Sequence, residues 1–129
     1  MAALILIVDD NSTNLKLVSH VLESAGFVVE GASNAEQAQE MLDHILPDLI
    51  LMDIALPGMD GLTLTRKLKA DPRFKDVPVV ALTAFAMKGD DRKALAAGCD
   101  GYITKPVDTR DLPQQVQTFL RLGGDEGST

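Results

Sequence analysis

Three stretches of this chain are apolar almost without a break: Leu4–Val8 (LILIV), Leu49–Met52 (LILM) and Pro78–Leu82 (PVVAL). A strand with one wet face alternates apolar and polar residues, whereas a strand covered on both faces has no reason to. Runs of this kind belong in a parallel sheet packed between two layers of helices. The residues that close each run matter as much. The first ends in Asp9-Asp10, the second in Asp53, and the third in Thr83-Ala84. After Asp53 come Pro57, Gly58 and Gly61, which turn the chain. Polar groups therefore sit where buried strands open into loops, the edge at which open α/β sheets bind ligands.

The segments between the runs read as helices. From Asn14 to Ala25, Leu15, Val18, Leu22 and Ala25 form one stripe, preceded by the capping residues Asn11-Ser12-Thr13 and stopped by Gly26. Phe27–Glu30 is a short strand. Ser33 or Asn34 caps a helix over Ala35–Leu46, which Pro47 stops. Gly61–Ala70 is a helix broken by Asp71-Pro72, and Met87–Ala97 is another, closed by Gly98. Gly101–Thr104 is a fifth strand, ending at Lys105-Pro106. Asp108 or Thr109 caps a last helix carrying Leu112, Val116, Phe119 and Leu120, with Pro113 tolerated in its first turn. Five strands alternating with five helices through short loops make a doubly wound α/β domain around a five-stranded parallel sheet, with right-handed crossovers. The domain is expected to span residues 1–122, with a disordered polar tail at 123–129.

Composition removes several function classes. A chain of 129 residues suits one domain with a genuine core. Aromatics are only 4%, so that core is built from Leu, Ile, Val and Ala. Twelve Lys and Arg against nineteen Asp and Glu give a net charge of −7, which opposes direct binding to nucleic acid. The single cysteine, Cys99, cannot form an internal disulfide. The amino-terminal apolar run has no basic flank and is too short for a signal peptide or a membrane span. A cytoplasmic protein without membrane insertion is expected.

In a parallel sheet all strand ends of one kind share an edge. That edge would gather Asp9, Asp10, Asp53, Thr83 and Lys105. Three neighbouring carboxylates repel one another unless positive charge intervenes. Lys105 supplies one charge, and a hard divalent cation such as Mg²⁺ is the natural second, since it takes carboxylate oxygens and keeps several waters. The chemistry that suits the set is phosphoryl transfer onto a carboxylate, which needs in-line positioning and charge on the equatorial oxygens. Asp53 would be the nucleophile, and Thr83 would donate to a phosphoryl oxygen.

The order of motifs, DD, then D-x-x-x-P-x-x-D-G, then T-A, then Y-x-x-K-P, resembles the receiver domain of two-component response regulators, a flavodoxin-like fold, over residues 4–121. The segment VVALTAFAMKGDDRKALAAGCDGYITKPVD is similar to single-domain receivers of the DivK type and to receivers attached to hybrid sensor kinases. The resemblance implies that Asp53 is phosphorylated by a phosphohistidine on a histidine kinase or histidine phosphotransfer protein. It implies that Asp10, Asp53 and the main-chain carbonyl of Ala55 ligate Mg²⁺ directly, with Asp9 assisting through water. Lys105 would pair with the acceptor and then the phosphate. Thr83 would move to meet the phosphate, and Tyr102 would reorient with it. The rearranged surface would control a downstream protein target, so the chain would be a switch and not an enzyme, catalysing only its own phosphorylation and dephosphorylation. Ala55 and Phe85 stand where this family flanks the path of the hydrolytic water, which implies slow loss of the phosphoryl group.

Other readings compete. A haloacid dehalogenase-type phosphatase needs a second aspartate two residues after the nucleophile, where Ala55 stands. A nucleotide-binding fold needs a Gly-rich loop after the first strand, where Asp9-Asp10 would repel phosphate. A pseudo-receiver that binds partners without phosphate, and a receiver fragment of a hybrid kinase or multidomain regulator, are alternatives of the same fold. The GGDE string at Gly123–Glu126 resembles a diguanylate cyclase signature but has no such domain around it. His20 and His44 read as surface residues, and no self-complementary pattern marks the fourth helix, so a monomer is expected.

Overall fold

The computed structural model describes residues 2–54, 61–83, 90–104 and 107–128, with the backbone alone at 83, 90–91, 93–94 and 122–128. The elements run β1 (Leu4–Val8), α1 (Ser12–Ser24), β2 (Val28–Ala32), α2 (Ala35–Leu42), β3 (Leu49–Asp53), α3 (Gly61–Lys69), β4 (Val79–Thr83), α4 (Asp90–Ala97), β5 (Gly101–Thr104) and α5 (Leu112–Ser128). The five strands form one sheet in the order β2-β1-β3-β4-β5, and every pairing is parallel. The doubly wound arrangement expected from the apolar runs is the one found. Its order changes direction between β1 and β3, which opens a crevice outside their carboxyl ends.

The unbroken runs are explained by two cores, one on each face of the sheet. Leu6, Val8, Ile50, Met52, Val79 and Ala81 point to one side, where α2 and α3 contribute Ala35, Ala38, Leu42, Leu64 and Leu68. Ile5, Ile7, Leu49, Leu51, Val80 and Leu82 point to the other, against Val18 and Leu22 of α1 and Leu112 and Val116 of α5. All five residues of β3 are buried, so this strand is the centre of the molecule. α4 packs beside α3.

Element ends differ from the sequence reading in ways that local chemistry explains. α1 begins at Ser12, because the Asn11 side chain accepts from the Asn14 N–H and caps the helix there. β2 runs to Ala32, past Glu30, because it follows β1 residue for residue from Leu4–Val28 to Val8–Ala32. α2 ends at Leu42, where the Asp43 N–H bonds back to the Glu40 carbonyl and tightens the last turn. Pro47 further holds Leu46 away from helical backbone. His44 consequently lies in a turn and not on a helix, and it is exposed. The expected first turn of α4 at Met87–Gly89 lies outside the described residues. The tail expected from Gly123 is instead continued as helix to Ser128 in α5. Extending an existing helix by one residue is inexpensive, even though glycine costs about 1 kcal/mol relative to alanine.

A lysine at the end of α3 reaches the segments that lead into β4 and β5. Lys69 Nζ donates to the Val77 carbonyl at 2.8 Å and to Asp100 Oδ2 at 2.9 Å. The same Asp100 oxygen accepts the Val79 N–H at 2.9 Å. The end of α3 is thus fastened to the starts of β4 and β5.

Cys99 is buried beside this clamp, and burial pushes its thiol above the ordinary value, with the Thr65 hydroxyl opposing. The unfolded chain ionises the thiol first as pH rises, so the Cys99 contribution to stability is complete below about pH 8 and is lost as pH climbs through the folded value. Denaturant titrations at neutral and strongly alkaline pH should therefore show a smaller loss of stability for Cys99→Ala than for the wild type. An equal loss in both would contradict the assignment.

Candidate functional site

The carboxyl end of β1 runs directly into Asp9, whose backbone N–H still bonds to the Ala32 carbonyl of β2 at 3.0 Å. This last sheet-like bond turns the Asp9 side chain inward, and the residue is fully buried. Its carboxylate accepts the Asn11 N–H at 2.9 Å on Oδ1 and the Asn14 side-chain amide on Oδ2. Asp9, Asn11 and Asn14 therefore lock the entry of α1 to the sheet. A carboxylate at a helix amino terminus also meets the positive end of the helix dipole. The sequence marked Asn11 as a cap but gave Asn14 only a helix position. Its amide bond to a residue five positions earlier is set by the β1–α1 turn and has no periodic signature.

Asp53 is the last residue of β3 and is 3% exposed. Val8 pairs with Met52, so Asp9 and Asp53 leave neighbouring strands at the same level. Asp10 follows on the exposed side of the turn. Carboxylate oxygens of Asp9, Asp10 and Asp53 all lie within 4.8 Å of one another. The three acidic residues expected to converge do so, in the crevice where the strand order reverses. The donor set is all oxygen and carries concentrated negative charge, which fits a hard divalent cation and not a soft metal. Both oxygens of Asp9 already accept protein N–H groups.

The other candidates are placed less completely. Asp53 pairs with Leu82, and Thr83 pairs with Thr104, so the β4 end stands one residue beyond the acceptor on the adjoining strand. Tyr102 lies on edge strand β5 opposite Ala81 and is 39% exposed. Ala55, Phe85 and Lys105 lie outside the described residues.

Gly61, the first residue of α3, has a role that the motif spacing did not explain. A Cβ built there would stand 2.2 Å from the Asp53 carbonyl oxygen, 2.9 Å from Met52 Cγ and 3.0 Å from the Asp53 carbonyl carbon. Only a residue without a side chain lets the head of α3 rest on the main chain of Asp53.

The family model for the response regulator receiver domain matches residues 5–117. The chain belongs to the receiver domain family. Among its relatives, the polar-differentiation response regulator DivK of Brucella anthropi is 40% identical over 121 residues, covering 94% of this chain and 96% of that protein. A CheY-like receiver domain protein of Methanospirillum hungatei superposes with a TM-score of 0.89 at 32% identity, covering 98% of this chain and 99% of that one. The receiver domain of the sensor histidine kinase PA1611 of Pseudomonas aeruginosa superposes with a TM-score of 0.86 at 34% identity, covering 93% and 98% of the two chains. That structure holds a magnesium ion coordinated in its active site cleft. Receiver domains act as signalling switches between histidine kinases and downstream targets, and not as conventional enzymes. Among the described residues of this receiver domain, no helix is long and apolar enough to cross a membrane.

Proposed function

We propose that this receiver domain is a phospho-accepting switch whose acceptor is Asp53. The observation that carries the reading is a nearly buried carboxylate at the end of the central strand, sharing a 4.8 Å cluster with Asp9 and Asp10 at the switch point of the sheet. A carboxylate oxygen of Asp53 attacks the phosphorus of a partner's phosphohistidine. The P–N bond breaks, and its electron pair stays on the imidazole nitrogen. Burial strips water from the acceptor and holds it in line, which is most of what phosphoryl transfer asks of a protein.

Asp10 and Asp53, with the Ala55 carbonyl, would hold Mg²⁺ directly, and Asp9 would assist through water and orient the α1 turn. The ion would supply charge neutralisation for the acceptor cluster and for the phosphoryl oxygens. Lys105 pairs with the acceptor and then with the phosphate, and Thr83 donates to a phosphoryl oxygen. Tyr102, half-exposed on β5, reorients with it and changes the surface offered to a downstream protein. That surface change is a two-state element biased by new charge and hydrogen bonds. The domain works in the cytoplasm as a monomer.

The reading is tested by transfer from a phosphorylated histidine phosphotransfer domain with Mg²⁺ present. Label should move to the wild type and not to Asp53→Asn. Label on neither would favour an interaction module that does not use phosphate.

The acyl phosphate should be long-lived. Ala55 offers no polar group to orient a hydrolytic water, and Phe85 puts a bulky apolar residue at the second position that flanks the path of that water in the family. Replacing both, as Ala55→Asn with Phe85→Glu, should shorten the phosphoryl lifetime about tenfold or more, as expected when a water-positioning group is restored. An unchanged lifetime would remove these two residues from the account.

A further inference from the structure

Thr65 is a fully buried polar residue on α3, one turn beyond Gly61. Its hydroxyl donates to the Gly61 carbonyl at 2.8 Å. The Cys99 thiol, in the α4–β5 connection, donates to the same hydroxyl oxygen at 3.9 Å. The three groups form a directed chain, S–H to O–H to O=C. It ends on the residue whose Cα rests against the main chain of Asp53. A mid-helix threonine that bonds back to the carbonyl four residues earlier is usually a neutral or slightly unfavourable choice. Here the carbonyl it holds belongs to Gly61, which packs closely against the main chain of the acceptor.

We propose that the Thr65 hydroxyl is a positioning group for Asp53, acting through Gly61. The proposal rests on the reading of Asp53 as the phosphoryl acceptor. The hydroxyl fixes the tilt of the first turn of α3, and that turn is the floor on which the Asp53 carbonyl sits. Beyond Asp53, the Ile54 N–H reaches the Leu82 carbonyl at 3.3 Å, a long bond at the limit of the sheet. The strand end that bears the acceptor is therefore held as much from below by α3 as by its own ladder. The Cys99 thiol serves as a proton donor to the chain and not as a nucleophile, and its burial keeps it protonated.

The test compares the wild type with Thr65→Val, Thr65→Ser and the double variant Thr65→Val with Cys99→Ala. Valine keeps the volume of threonine. The double variant also removes the thiol that Thr65→Val alone would leave without its acceptor. Three quantities are read: the rate of phosphorylation by acetyl phosphate with Mg²⁺, amide hydrogen exchange at Ile54, and the thermal midpoint. Thr65→Val and the double variant should phosphorylate about tenfold more slowly, the lower end of what is lost when a hydrogen bond supporting a reacting group is removed. Their Ile54 amide should exchange several-fold faster, and Thr65→Ser should restore both quantities. Wild-type rates in the double variant would overturn the positioning role alone. A slowed rate that serine does not rescue, with Ile54 exchange unchanged, would overturn it too. A wild type that takes no phosphoryl group would overturn the acceptor reading itself, and this proposal with it.

Discussion

Gly61→Ala should be among the most damaging single substitutions in the molecule. The added methyl would fall 2.2 Å from the Asp53 carbonyl oxygen and 2.9 Å from Met52 Cγ. The first of these is main chain of the central strand, which cannot swing aside as a flexible side chain could. Either α3 lifts from the sheet or the end of β3 is displaced. Overpacking of this kind costs about 3 kcal/mol, which for a domain of this size lowers the thermal midpoint by roughly 10 °C. The consequence for function is separable from stability. A shift of about 1 Å at a reacting carboxylate can slow transfer about 100-fold. Phosphorylation by acetyl phosphate, measured well below the midpoint on folded Gly61→Ala, should show that loss. A folded variant that is phosphorylated at the wild-type rate would mean that contact between Gly61 and Asp53 does not position the acceptor.

Asp10→Asn should separate the metal from the fold. Asp10 is the exposed member of the carboxylate cluster, so its side chain adds negative charge to the crevice without supporting the core. Without metal, removing that charge relieves repulsion, and the variant should be more stable than the wild type by roughly 0.5–1 kcal/mol. With metal the order should reverse. A ligand present at 100 times its dissociation constant stabilises the folded state by about 2.7 kcal/mol. The wild type should gain that increment from Mg²⁺, and Asp10→Asn should gain little or none. Thermal midpoints of both proteins with Mg²⁺ and with a chelator would show the crossing. Equal Mg²⁺ stabilisation of the two would exclude Asp10 as a ligand.

Much of this molecule can be read before it is folded, for a physical reason. Strands buried on both faces cannot alternate, so β1, β3 and β4 announce themselves as unbroken apolar runs. A carboxylate closing such a run can only lie at a strand end. Asp9, Asp10 and Asp53 were legible as one cluster on that ground alone. Edge strand β2 was placed less well. It contains Gly31 and exposed Val28, and its length is dictated by pairing with β1 and not by its own composition. The end of α2 was set by a tightening turn at Asp43 that competes with a helical pattern running on to Leu46.

The supports of the site were the least legible. The Asn14 amide on Asp9, the close approach of Gly61 to the Asp53 main chain, and the Cys99–Thr65 bond are contacts that only the folded chain creates. Cys99 and Thr65 are 34 positions apart, and no period or spacing predicts that they touch. Thr65 in particular reads as an ordinary helix residue, and only its complete burial marks it as a polar group that must have a purpose. The residues doing chemistry left a pattern in the sequence because their positions are tied to strand ends. The residues holding them left none.

The most direct measurement is the intact mass of the protein after incubation with acetyl phosphate and Mg²⁺, taken beside Asp53→Asn. One added phosphoryl group on the wild type, none on the variant, and none on the wild type when a chelator replaces Mg²⁺ is the expected result. Equal addition to both proteins would contradict Asp53 as the acceptor. Addition that persists without divalent metal would contradict the role given to the Asp9, Asp10 and Asp53 cluster.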